Sequence, residues 1–402
     1  MKRILFYYDN FCGPESKGGT EVATHRIAHA LALTGEWEVF NAFRNKQKKM
    51  SGSVEPYTNI IKLGHSGNSF INSLAEFINK NEIDVVVNMS RFYRHSLICK
   101  ATQKSEREVK IVFMQHFAPG SESKKSTYKA GMHLLKLNPG NPLYWIRTSL
   151  YPLFKLPRKL KLKKTYREVY ERSHRVVVLS KGYINQYAEI ASLNDNRKLV
   201  SIPNIFDKDD ITISSGKKEK RVLILSRMDE VQKRISLALE IWKKVESNPS
   251  LQDWQLDIVG TGHDLGAIKR KAGRLNLKRV IFHGWKKPDE FLKKASVLMM
   301  TSEYEGLPLS LLEARAYGCI PVAFDSFASL RDVLEDGVNG VIIKEFGDTE
   351  RFASRLVDLL LDEDKRDFLI RNTRQDTEKF SSATVAFQWT EMLNELDSTG
   401  ID

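Results

Sequence analysis

Short apolar runs, each the length of one strand, alternate with helical patterns along nearly the whole sequence, and the alternation occurs twice. The first series comprises Ile4–Tyr8, Trp37–Phe43, Asp84–Asn88, Lys110–Gln115 and Arg175–Leu179. The second comprises Val222–Ser226, Leu256–Val259, Val280–His283, Val297–Thr301, Pro321–Phe324 and Val341–Ile343. A strand that is apolar along its length is buried on both faces. Buried strands between amphipathic helices form parallel sheets with helices on both sides. The pattern therefore predicts an α/β chain of two domains.

Length and composition fit that reading. At 402 residues the chain is too long for one typical core, and its 42% hydrophobic share fills two. The first domain is expected at 1–207 and the second at 221–375, joined by a polar linker at 208–220 that contains Ser214-Ser215-Gly216. Residues 376–402 read as a helix with Val385, Trp389, Met392 and Leu393 on one face. That helix either caps the second domain or crosses back to the first.

The three cysteines, Cys12, Cys99 and Cys319, lie far apart and suggest neither a disulfide framework nor a zinc cluster. Ile4–Tyr8 is too short for the core of an export signal, and no run approaches the roughly 20 apolar residues of a spanning helix. A cytoplasmic protein is the expectation. The net charge of +13 asks for an anionic partner. No nucleic-acid signature is present, so that partner is not expected to be nucleic acid.

The segment Thr301 to Ala314 holds the densest chemistry. It leaves the apolar strand at 297–301, breaks at Gly306 and Pro308, and enters a helical pattern from Leu309 to Tyr317, with Pro308 suited to the first helical position. A strand-to-helix turn at the carboxyl edge of a parallel sheet is where open α/β folds bind ligands. The helix start favours an anionic or hydroxyl-rich group. Glu305 and Glu313 are spaced to hold hydroxyls at two points of one ligand; they equally suit a capping acid and a surface residue.

A second such turn, Ser226 to Arg234, places Arg227 and Lys233 where they suit a diphosphate, Arg as a fork and Lys as a point charge. Arg234 reads as a solvated charge. Asp257 to Gly262 is a strand ending in Gly260-Thr261-Gly262, and Val280 to Trp285 carries His283-Gly284, with Trp285 able to stack on a base but read first as a buried structural aromatic. In the first half, Lys17-Gly18-Gly19-Thr20-Glu21 opens a helix at Val22–Leu33, and His116 ends the strand at 110–115.

Taken together, these segments resemble the retaining GT-B glycosyltransferases of the large family-four type. Glu305-x7-Glu313 matches that family's E-x7-E motif. Ser226-Arg227 with Lys233 matches its G-R-x4-5-K clamp with Ser in place of Gly, and 259–262 and 282–284 match its V-G-x-G and F-x-G elements. The resemblance implies two Rossmann-like domains facing across a cleft. It implies catalytic roles for Glu305, His116, Arg227 and Lys233. It implies a donor site formed by Gly18, Gly19, Arg227, Lys233, Gly260, Gly262, His283, Glu305, Gly306, Leu307, Leu309 and Glu313, with Glu305 on the sugar and Glu313 on the ribose. Ser180, Lys181, Ile202-Pro203-Asn204 and Asp207 resemble its interdomain elements, with Ile205 where Gly is usual. The implied reaction needs no metal or cofactor. A nucleotide-sugar donor, with UDP as the first guess, and a glycan or lipid-linked acceptor are implied, in surface polysaccharide or lipopolysaccharide synthesis. The alternatives are a non-hydrolysing nucleotide-sugar epimerase and a noncatalytic nucleotide-sugar or membrane-binding protein.

Between His116 and Arg175, a turn cluster at 138–142 precedes Trp145, Tyr151 and Phe154, which mix with Lys155, Arg158, Lys159, Lys161, Lys163, Lys164 and Arg167. Apolar residues beside clustered cations suit an anionic membrane surface. Lys159, Lys161, Lys163 and Lys164 are the expected membrane contacts, and a peripheral position on the inner face of the membrane follows.

Overall fold

The computed structural model describes residues 1–16, 18–45, 54–124, 135, 140, 142–149, 151–207, 218–373 and 375–398. Residues 208–217 of the expected linker, Lys17, and most of the 138–142 turn cluster lie outside them, as do the side chains of Tyr151, Phe154 and Lys155. The chain divides into two units. The first takes residues 1–119, 160–207 and those from Glu378 on; the second takes 120–159 and 208–377.

The first unit is built on seven strands: β1 (Lys2–Tyr7), β2 (Trp37–Phe43), β3 (Asn59–Lys62), β4 (Val85–Asn88), β5 (Lys110–Gln115), β6 (Arg175–Val178) and β7 (Leu199–Ser201). They pair in the order β3-β2-β1-β4-β5-β6-β7, all parallel. The chain runs outward from β1 in one direction and resumes at β4 in the other, so the switch point lies between β1 and β4. β3 and β7 were not foreseen, and they are the two edge strands of this sheet. Asn59 and Lys62 are exposed and β7 has only three residues. Edge strands lack the continuous apolar signature of buried ones.

The second unit holds six parallel strands: β8 (Glu219–Leu225), β9 (Gln255–Val259), β10 (Val280–Gly284), β11 (Ala295–Met300), β12 (Ile320–Phe324) and β13 (Val341–Ile343). Their order is β10-β9-β8-β11-β12-β13, with the switch point between β8 and β11. Both units are therefore Rossmann-like. The core of the second includes Val222, Ile224, Leu256, Val297 and Val322 from the strands. Trp242 of the helix Ile235–Glu246 and Leu356 of the helix Thr349–Leu361 cover them. In the first, Leu5, Tyr7, Phe40 and Val86 meet Phe70 and Leu74 of the helix Gly67–Lys80. Among the described residues no helix is long and apolar enough to cross a membrane.

Of the two placements open to the C-terminal helix, the structure adopts the return to the first unit. Phe206 N–H donates to the Phe380 carbonyl and Ser382 N–H to the Asp207 carboxylate, both at 2.7 Å. On the helix Ser382–Ser398, Trp389 is fully buried and meets Phe6 edge-on at 6.4 Å. Lys2 Nζ donates to Asn394 at 2.9 Å. Truncating so large a buried side chain leaves a cavity, and Trp389→Ala is expected to lower stability by about 3–5 kcal/mol. Urea unfolding measures this; a midpoint equal to wild type would mean that Trp389 is not packed in the core.

Candidate functional site

In the second unit the turns that follow β8 and β11 emerge side by side at the switch point, because these strands are neighbours in the sheet. The β8 turn contains Arg227 and Asp229, then the short helix Glu230–Lys233. Asp229 caps that helix by accepting the Gln232 N–H, and Arg234 ends it in a left-handed conformation, φ 52°. The β11 turn contributes Thr301 to Pro308.

The two turns are joined by polar contacts. Lys233 Nζ donates to Glu305 Oε1 at 2.5 Å, and Gln232 Nε2 donates to Glu305 Oε2 at 3.2 Å. Arg234, buried, pairs with Glu303, and Glu303 N–H donates to the Gln232 carbonyl at 2.7 Å. The Thr301 hydroxyl donates to the carbonyls of Lys233 and Arg234. Arg227 is anchored through one nitrogen, to Gln232 Oε1 at 3.2 Å and Asp229 Oδ2 at 3.4 Å, while its side chain stays 59% exposed. A half-free fork thus stands beside a lysine already fixed against a carboxylate.

The glycines hold the next turn, that after β9, against this one. A Cβ on Gly260 would sit 1.9 Å from the Ser226 carbonyl oxygen, and one on Gly262 would sit 2.4 Å from the Met228 oxygen. Gly260 also has φ 136°, which side-chain-bearing residues rarely adopt. The close approach lets Met228 N–H donate to Thr261 O at 2.9 Å. Asp264, Asp229 and His263 converge nearby, but their oxygens are engaged: Asp264 accepts the Glu230 N–H at 2.7 Å and contacts His263, and Asp229 is bound as above.

Other expected residues fall elsewhere. Pro308 caps the helix Leu309–Ala316 rather than opening it. The Leu309 N–H donates to the Leu307 carbonyl at 2.9 Å, so that amide is engaged inside the turn. Gly306 and Leu307 are buried in the turn, and Glu313 is half-buried on the helix. Two residues further on, Arg315 is fully buried. It donates to the carbonyls of Thr373 at 2.8 Å, Val333 at 2.6 Å and Gln375, and burial lowers it to about 10. His283 pairs with buried Asp257 at 2.7 Å, and Asp257 also binds Arg221. Two further readings need correction. Arg234 is buried, not solvated, because its left-handed backbone turns the side chain onto Glu303. Trp285 is 60% exposed, not a core aromatic. Gln232, which joins Arg227 to Glu305, carried no signal in the sequence.

In the first unit, Gly18 caps the helix Gly19–Leu33, with the Glu21 carboxylate where a Cβ would lie. His116 follows β5, and burial lowers it to about 4, so it is neutral at pH 7; its Nε2 is buried with no hydrogen-bond partner among the described residues. His95, buried beside Asn88 and Ser173, is likewise lowered to about 4. The unfolded chain protonates these rings near 6.5, the folded chain only near 4, so protons favour the unfolded state between those values. Stability should fall as pH drops from about 6.5 to 4. His116→Gln should flatten part of that slope in urea titrations; an undiminished slope would show that His116 titrates normally.

On the helix Tyr151–Arg172, Lys159, Lys161 and Lys164 are exposed and Lys163 is partly so. Leu160 is exposed among them, and Leu143, Trp145 and Ile146 are exposed on the helix Pro142–Ser149.

Two Rossmann-like units, each on a parallel sheet, are the architecture of the GT-B fold. Residues 206–376 match the family described as glycosyl transferases group 1. The amylovoran biosynthesis glycosyltransferase AmsD of Erwinia amylovora is 29% identical over 181 residues, covering 44% of this chain and 49% of its own length. The poly(glycerol-phosphate) alpha-glucosyltransferase of Bacillus subtilis is 23% identical over 338 residues, 81% of this chain and 48% of its own. The chain thus spans about half the length of these curated relatives. The solved structure of Anabaena HepE in complex with UDP and glucose superposes with a TM-score of 0.74 at 15% identity, covering 98% of this chain and 100% of that one, and shares the fold.

Proposed function

We propose that this chain is a retaining glycosyltransferase that moves a sugar from a nucleotide-sugar donor to a glycan or lipid-linked acceptor in the synthesis of a surface polysaccharide or lipopolysaccharide. The observation that carries this reading is the Lys233–Glu305 pair at the β8/β11 switch point, with the exposed part of the Arg227 guanidinium beside it. A diphosphate accepts hydrogen bonds from Arg227 and Lys233. As the bond between the anomeric carbon and the phosphate oxygen breaks, charge grows on that oxygen, and these two cations stabilise it without a metal ion. The acceptor hydroxyl forms the new bond to the same carbon, and its proton passes to the departing diphosphate. Glu305, fixed by Lys233 and Gln232, addresses the donor sugar, and Glu313 the ribose. The family match and the relatives' names support the reaction class, and the ligands of HepE support uridine.

The test is a thermal-shift screen against UDP, GDP and ADP and their sugars without added metal, followed by transfer assays. A ligand at one hundred times its Kd adds about 2.7 kcal/mol. UDP is expected to stabilise the protein, and Lys233→Ala to cut transfer by on the order of a hundredfold or more while the fold survives. The anomeric configuration of the product, read by NMR, should match that of the donor. An altered nucleotide sugar formed from donor alone would replace this reading with an epimerase.

The exposed cations of the helix Tyr151–Arg172, with Leu143, Trp145 and Ile146, suit an anionic membrane at which a lipid-linked acceptor is met. Each basic residue near such a surface contributes about 1 kcal/mol. Reversing Lys159, Lys161, Lys163 and Lys164 to Glu should abolish sedimentation with acidic vesicles; undiminished sedimentation would remove the membrane from the proposal.

A further inference from the structure

The carboxyl edge of the first unit carries its own cluster of charge, which the donor chemistry leaves unused. Asp9 follows β1, Arg44 follows β2, and Ser90, Tyr93 and Arg94 follow β4. These three strands are neighbours, so the residues gather at the β1/β4 switch point, where folds of this kind accept ligands. The backbone fixes part of the arrangement: the N–H groups of Arg44 and Asn45 donate to the Asp9 carbonyl at 3.1 and 2.8 Å.

Hydroxyls already solvate the Asp9 carboxylate. Tyr7 donates to Oδ1 at 3.0 Å, and Ser90 and Tyr93 donate to Oδ2 at 2.7 and 3.3 Å. The guanidinium groups stand further off, Arg94 Nε at 3.4 Å and Arg44 Nε at 4.0 Å from Asp9 Oδ1. Both Nε atoms are buried, and neither has a hydrogen-bond partner among the described residues. An arginine recruited for stability would place its fork on the carboxylate in two parallel bonds. Here two guanidiniums face one carboxylate and neither does so. Two cations thus share one carboxylate, and the positive charge left over is what a bound anion neutralises. Arg94 lies in the first turn of the helix Phe92–Lys104, whose free amides add positive potential. Its guanidinium sits 4.6 Å over the ring of Tyr93, which is 57% exposed.

We propose that Arg44 and Arg94 bind an anionic group of the acceptor, a phosphate ester or a sugar carboxylate, with Asp9 holding the two cations in place and the Tyr93 ring offering an apolar face to the adjoining sugar. This assignment of the ligand as acceptor rests on the glycosyltransferase reading; the anion site itself does not.

The full-length protein is titrated with glycerol phosphate and, separately, with glucuronate, with glycerol and glucose as neutral controls, and Tm is followed. Saturating UDP is present, so that Arg227 and Lys233 are occupied. A saturable rise with at least one anion is expected. Arg44→Gln and Arg94→Gln should each weaken it by about tenfold or more, the scale of a charged hydrogen bond. Asp9→Asn, which removes the competing charge and keeps the shape, should tighten it. The UDP response should be unchanged in all three. A response to glycerol phosphate alone assigns a phosphate ester; one to glucuronate alone assigns a carboxylate. If Arg94→Gln does not fold, Arg94→Lys, which keeps the charge and loses the fork, must still weaken binding. Absence of any UDP response would sink the donor reading alone, and the anion titration is then run with Arg227→Gln and Lys233→Ala in place. No response to either anion, or one that Arg44→Gln and Arg94→Gln leave intact, overturns the anion site.

Discussion

Every strand pairing in both sheets is parallel, and the rest of the molecule follows from that. A parallel partner cannot be reached by a tight hairpin, so each strand is followed by a crossover, and all carboxyl ends collect along one edge of each sheet. At a switch point the two neighbouring crossovers depart in opposite directions and leave a gap lined by two turns. Residues far apart in the chain, Lys233 and Glu305 or Asp9 and Arg94, meet because their strands are neighbours there.

At the second switch point, consecutive cations answer two acids separated by one residue: Lys233 pairs with Glu305, and Arg234 with Glu303. Buried ion pairs add little net stability, since desolvation offsets most of the attraction. What they supply is position. Lys233 is held before any ligand arrives, and the ordering of its long side chain is not charged against binding. Arg227 keeps most of its fork in solvent because only one nitrogen is committed. Gly260 and Gly262 complete the assembly by letting a third turn close on the backbone of the first.

The interior strands were legible because burial on both faces writes an unbroken apolar run into the sequence. Two of the four edge strands, β3 and β7, were not, since β3 exposes Asn59 and Lys62 and β7 has only three residues, whereas β10 and β13 carry apolar runs. The charged turns were legible as turns: Gly306 with Pro308, and Gly260 with Gly262, interrupt strand patterns in plain view. Their mutual contacts were not. That Gly260 must clear the Ser226 carbonyl depends on two strands lying side by side, which no local spacing encodes. Arg234 reads as a surface charge until its left-handed backbone is known, and Gln232 belongs to no motif although it bridges Arg227 and Glu305. The arginines of the first unit give no local signal for the same reason: Asp9, Arg44 and Arg94 are scattered over 86 positions of sequence and are gathered only by strand order.

Arg315 gives the helix that follows Pro308 an unusual dependence. Its charge is dispersed over three main-chain carbonyls, two of which, at Thr373 and Gln375, belong to the last few residues before the polypeptide leaves the second unit. The helix bearing Glu313 is therefore moored to the exit of its own domain. An excised second unit ending ahead of Thr373 would strand a cation in an apolar interior, and the helix would have to unwind or tilt to bring it to water. The autonomy of this half of the chain is thus set less by where its sheet ends than by where its buried guanidinium finds its last oxygen.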